Sequence, residues 1–153
     1  MMRCRGVRGA TTATENSRAA ILSATRELLA LLVERNEIAL NEIASAFFTV
    51  SDDLDAEYPA LAARQLGWHD IALLCAREIP VPGGLRRCVR VLLHVNTERT
   101  LDEIRHVYLR EAVALRPSRA DHAARPSHHD QDDQDDQSEG APFPASAEGG
   151  VER

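Results

Sequence analysis

The chain has 153 residues, 44% of them hydrophobic and only 4% aromatic, which allows one domain with an aliphatic core, and all 18 basic residues are arginine. Its net charge of -6 is uneven: residues 1–117 hold 15 Arg against 15 acids, and residues 118–153 hold 3 Arg against 9. A neutral main part argues against nucleic acid as a partner, and no run approaches the roughly 18 apolar residues of a membrane span.

Residues 3–12 read as a first strand ending in Gly9-Ala10-Thr11-Thr12. Arg8 falls beside Gly9, where a residue without Cβ lets a backbone come close to a ligand. A helix follows, capped by Asn16 or Ser17, with Ile21, Leu28, Leu29 and Leu32 at helical spacing and Asn36 as its stop. Residues 43–50 (IASAFFTV) form a β-rich run closed by the polar turn Ser51-Asp52-Asp53.

Residues 58–66 read as a short helix with Pro59 in its first turn and Arg64 on its surface. Residues 71–76 are the next strand, ended by a loop holding Pro80, Pro82, Gly83 and Gly84. Residues 88–95 make the clearest strand, 100–104 a single helical turn, and 107–115 include a last strand flanked by Tyr108 and Arg116. Strands separated by helices point to an α/β fold, a mixed α+β sheet with helices on one side.

After Pro117 the chain is acidic and rich in Pro, Ser and Gly. Such a stretch buries too little surface to offset its ordering entropy. The expected division is therefore a folded domain over 1–117 and an acidic disordered tail over 118–153. The tail's DQDDQDDQ run lacks the glycine and terminal glutamate of a calcium-binding loop, and His128-His129 reads as a solvated pair. The start MMRCRGVRGATT has no apolar leader, and Cys4, Cys75 and Cys88 show no zinc spacing. These features fit reduced thiols in a cytoplasmic protein with no metal.

Arg90 is the residue that asks for an explanation. Alternation in the strand puts Val89, Val91, Leu93 and Val95 on one face, and Cys88, Arg90, Leu92 and His94 on the other. A cation in a strand that reads as core needs an anion. Glu78 or Glu103 would serve as a plain ion-pair partner. The company of Arg8, Arg64, Arg116, Tyr108, Cys75 and Glu78 instead suits a small polyanion that also carries a hydroxyl. No Ser-His-Asp order, Walker-type loop or metal cage is present in the sequence, so any chemistry should work through placement and charge.

Several separated blocks resemble one known family. RGVRGATT at 5–12, the Cys75-x-x-Glu78 pair, Gly83-Gly84-Leu85 before Cys88-Val89-Arg90, Ile104 to Leu109 (IRHVYL) and Ala114-Leu115-Arg116-Pro117 look like the monofunctional chorismate mutases of the AroH type. The resemblance spans residues 2–117. It implies a homotrimeric pseudo-α/β-barrel with active sites between subunits. It also implies the Claisen rearrangement of chorismate to prephenate in phenylalanine and tyrosine biosynthesis, with no cofactor.

By the same resemblance Arg90 meets the ether oxygen and a carboxylate of the substrate. Glu78 accepts from the ring hydroxyl with Cys75 nearby, and Arg8 and Tyr108 hold carboxylate. Arg64 and Arg116 sit at the mouth, and Tyr58, Leu73, Leu74 and Leu115 line the pocket. Two positions depart from the family pattern: Leu61 stands where a lysine can occur, and Leu74 where a small hydroxylated residue is expected. Cys75 and Glu78 also point to opposite faces of a regular strand, so sharing one pocket requires the strand to end or bulge between them.

Overall fold

The structure, a computed structural model, describes residues 1–116. The expected tail, with its acidic run and histidine pair, lies outside the described residues. The elements in chain order are β1 (Arg3–Thr12), α1 (Arg18–Asn36), β2 (Ile43–Val50), α2 (Ala60–Gln65), β3 (Ala72–Arg77), β4 (Cys88–Thr97) and β5 (Val107–Tyr108). Short 3₁₀ segments occupy Leu40–Glu42, Leu101–Glu103 and Arg110–Leu115.

The five strands form one mixed sheet in the order β3-β2-β4-β1-β5. Antiparallel β4 lies at its centre between β1 and β2, while β3 and β5 add parallel at the two edges. The parallel β2–β3 pair requires a crossover, and α2 lies within it.

Helix α1 forms because Ser17 takes an extended conformation and its hydroxyl accepts the Ala20 N–H at 3.2 Å. Ile21, Leu28, Leu29 and Leu32 then recur on one side and are completely buried. Leu28, Leu29 and Leu32 pack with Val7, Phe48, Val91 and Leu93, inward residues of β1, β2 and β4, while Ile21 packs with Ala13, Leu54 and Val89. The helix ends at Asn36, and its side chain does more than stop it. The amide donates to the carbonyls of Leu32 and Arg105 at 2.9 and 2.8 Å and accepts the Arg105 N–H at 2.8 Å. Asn36 thus ties the segment before β5 to the end of α1.

Gly9 has a different role from the one its position suggested. A Cβ there would lie 2.7 Å from Leu32 and 3.1 Å from Leu28. The missing side chain lets α1 approach the sheet, on the face away from Arg8. Arg8 itself lies well within β1, not at its end. The last strand is also shorter than expected: only Val107 and Tyr108 pair, with Gly9 and Ala10, and the chain then turns into a 3₁₀ segment. Tyr108 is therefore inside the strand, and Arg116 lies beyond the 3₁₀ segment.

Among the described residues no helix is long and apolar enough to cross a membrane. The helices cover one face of the sheet. The other face carries Arg8, Arg90, Leu92, His94, Phe47, Thr49 and Leu74, with Phe47 and Leu74 exposed.

Candidate active site

The site begins with the alternation of β4. Val89, Val91, Leu93 and Val95 are at most 3% exposed beneath α1, which sends Arg90 to the open face. Arg90 is thus not a buried cation: 45% of its side chain is accessible. The strand register then sets its neighbours. Across the sheet Tyr108, Ala10, Arg90, Thr49 and Ala76 form one row, each paired with the next. The next row on that face is Arg8, Leu92, Phe47 and Leu74. One row is polar and the other mostly apolar.

Glu78 is the first residue after β3. Its backbone N–H extends the β2–β3 ladder by one bond, to the Val50 carbonyl at 2.8 Å. Its carboxylate turns to the open face, where Oε2 accepts the Thr49 hydroxyl at 2.7 Å and lies 3.4 Å from Nη1 of Arg90. The ion pair expected from the plain reading exists. Both partners remain solvent-accessible, so water screens the pair and it contributes at most about 1 kcal/mol. A ligand that offers Arg90 a better anion can displace it, and the other guanidinium N–H groups remain for such a ligand.

Arg90, Glu78 and Leu115 line one cleft of about 530 Å³ with Ser51, Cys88 and the loop from Ile79 to Arg86. The far end of β2 holds that loop. Ser51 accepts the Cys88 N–H on its hydroxyl at 2.9 Å and donates its own N–H to the Cys88 carbonyl at 3.0 Å. Asp53 accepts the Arg87 N–H on both carboxylate oxygens at 3.0 Å and the Ser51 hydroxyl at 2.5 Å. Burial opposes the charge on Asp53, but the bonds from Ser51 and Arg87 and the nearby Arg86 together hold its pKa below the usual carboxylate range. The Cys88 thiol is pushed up to about 11 by burial, so it stays protonated at neutral pH.

At the other edge, the Arg8 N–H donates to Nδ1 of His106 at 3.0 Å. The imidazole takes the place of a ladder bond just before β5 begins, and so links the backbone of Arg8 to the segment that carries Tyr108. Partial burial, and then the charge of Arg8, hold His106 below its ordinary pKa.

The remaining expected residues separate into a second group. Leu73 and Cys75 register against Ala46 and Phe48 on the helix-covered face and pack against the core. The strand ends at Arg77, one residue before Glu78, but no bulge intervenes and the Glu78 N–H still continues the ladder, so the alternation carries through. Cys75 and Glu78 therefore lie on opposite faces, as strand alternation requires. The Cys75 thiol is raised by burial, countered by the Ala60 backbone and the charge of Arg64, which places it beside α2. Arg64 is in α2, and Tyr58 lies just ahead of that helix, 71% exposed. Leu74 is on the open face opposite Phe47, and exposed Arg116 closes the described residues.

One chain thus brings together Arg90, Glu78 and Leu115, with Arg8, Tyr108 and Leu74 on the same face. It keeps Cys75, Leu73, Arg64 and Tyr58 apart from them. Thr49 and Ser51 were not anticipated from the sequence. Alternation in β2 was the available signal, because it places Thr49 on the face opposite Phe48.

The family model described as chorismate mutase type I matches residues 4–119. The chain is 54% identical over 114 residues to the chorismate mutase AroH of Thermus thermophilus, covering 74% of this chain and 93% of that one. It is 40% identical over 117 residues to the chorismate mutase AroH of Bacillus subtilis (strain 168), covering 76% and 92%. A solved chorismate mutase from Clostridium thermocellum superposes with a TM-score of 0.71 at 45% identity, over 72% of this chain and 98% of that one.

Proposed function

The chain belongs to the chorismate mutase type I family and is an isomerase of that kind, and from this premise we propose that the Arg90 cleft carries out the rearrangement of chorismate to prephenate by charge placement and conformational restriction. The observation that carries the reading is the row Tyr108–Ala10–Arg90–Thr49, with Glu78 held beside Arg90. It sets a permanent cation, a phenol and a carboxylate acceptor on one face, which matches a dicarboxylate with an ether oxygen and a ring hydroxyl.

The reaction breaks one C–O bond and forms one C–C bond within the substrate. No proton or electron pair passes to the protein. Bond breaking runs ahead of bond making, so negative charge grows on the ether oxygen. Arg90 donates to that oxygen and to a carboxylate. A preorganised donor of this kind is worth about 3–4 kcal/mol, or roughly 10²–10³ in rate. Glu78 accepts from the ring hydroxyl, and Arg8 and Tyr108 hold a carboxylate so that the bound substrate stays in its compact, reactive conformer. The raised pKa values of Cys75 and Cys88 leave thiols, not nucleophilic thiolates, near the site.

The same reading assembles the chain as a cytoplasmic homotrimer in a pseudo-α/β-barrel, with each site between two subunits. Two features support it. The open face exposes Phe47 and Leu74 beside the catalytic row. The second group of Cys75, Leu73, Arg64 and Tyr58 lies apart from Arg90 within one chain, so a neighbouring copy supplies it. Arg116 joins at the mouth, the domain ends near residue 117, and the product feeds phenylalanine and tyrosine biosynthesis.

Purified protein mixed with chorismate should remove the ultraviolet absorbance of chorismate and yield prephenate. No acceleration over the uncatalysed rate would overturn the reading.

A further inference from the structure

Thr49 stands directly across the ladder from Arg90. Its hydroxyl donates to Oε2 of Glu78 at 2.7 Å, and that same oxygen is the one 3.4 Å from Arg90. Glu78 is thereby held by β2 at two points, since the Val50 carbonyl takes its backbone N–H at 2.8 Å. The chain leaves the sheet immediately afterwards through Ile79 and Pro80, so nothing in its own strand fixes the Glu78 side chain.

We propose that Thr49 is a positioning residue for Glu78: its hydroxyl occupies Oε2 and leaves Oε1 as the acceptor for the ring hydroxyl of the substrate. The physical argument has two parts. Threonine is β-branched and stiff about χ1, so its hydroxyl is a fixed donor on a rigid strand. A charge-assisted hydrogen bond of this length also competes with the guanidinium for the carboxylate. Without the hydroxyl, both carboxylate oxygens are free to turn onto the Arg90 fork in a bidentate pair. That arrangement ties up the donors needed by the ether oxygen and removes the acceptor for the ring hydroxyl. Thr49 therefore keeps the Arg90–Glu78 contact loose enough for substrate to enter between them.

This inference rests on the chorismate mutase reading. It is tested by a double-mutant cycle on the full chain, with chorismate as the probe. Thr49→Val keeps the shape and strand preference and removes the donor; it should lower kcat/KM about tenfold, and Thr49→Ser should stay within about twofold of the parent. In a Glu78→Ala background, Thr49→Val should cost less than twofold, because the group it positions is gone. Equal losses in both backgrounds, or full activity of Thr49→Val, would overturn the inference, as would failure of serine to restore the rate. If Thr49→Val does not fold, Thr49→Ala in the same cycle is judged by the same outcomes. An inactive parent protein would instead overturn the reading of the function itself.

Discussion

The two faces of this sheet are made by the same strands and do opposite work. On the covered face Val89, Val91, Leu93 and Val95 lie sealed under α1. One residue away, Arg90, Leu92 and His94 look outward with Thr49, Phe47 and Leu74. The first face is complete within one chain. The second is polar at the Arg90 row, apolar at the next, and has no cover among the described residues. Along β4 the residues that close the core are thereby kept apart from Arg90, the residue proposed to meet the substrate.

That separation can be broken by experiment. The largest expected effect is on the open face: Arg90→Ala should lower kcat by at least about 10², with a melting temperature within a few degrees of the parent. A large drop in melting temperature would show that the two faces are not separable there. Next, Leu28→Ala under the sheet should cost about 2–5 kcal/mol of stability in denaturant titration and leave kcat at 25 °C within about threefold. If its turnover fell as far as that of Arg90→Ala, the covered face would have to be counted as part of the site.

A third substitution sharpens the claim that another copy covers the open face. Phe47→Asp, measured by analytical ultracentrifugation, should weaken self-association at least about tenfold, or about 1.4 kcal/mol. Unchanged association would move the subunit contact elsewhere.

The smallest effect concerns His106. Its folded-state pKa lies below the ordinary 6.5 because of partial burial and the facing Arg8 guanidinium. The unfolded chain therefore binds a proton more readily between those two values. Stability should be level above about pH 6.5, fall as the pH drops through the folded-state pKa, and level off below it. Thermal melts of His106→Asn, which keeps an acceptor that does not titrate, should lack that component, a difference of a few degrees at most.

Much of the covered face was legible because hydrophobic periodicity reports directly on it. Ser17, the helix stop at Asn36 and the even–odd division of β4 all follow from local rules. What local rules do not carry is which face stays open. Arg90 reads as buried because the strand is apolar, yet burial depends on what lies above the sheet. Gly9 reads as a ligand contact, because the sequence cannot tell a helix from a substrate as the body pressing on it. The last strand misled for another reason: its ladder runs one bond past Tyr108, from the Leu109 N–H to the Ala10 carbonyl, and the Arg110 guanidinium then takes the Thr12 carbonyl where the next ladder bond would fall. Cys75 was legible as a conflict, and the conflict is real, since one chain never places it beside Glu78.

The alternation of β4 has a consequence for how this protein tolerates change. A saturation library over Val89–Val95 should show a two-residue rhythm: odd positions set how much protein survives in the cell, and Arg90 between them sets how fast each surviving molecule turns over. The two readouts would be nearly independent down to single-residue spacing. The rhythm also exposes a fragility that substitutions alone would miss. Inserting one residue between Val89 and Arg90 would carry the arginine under the helix and turn the next valine outward, so fold and activity would fail together.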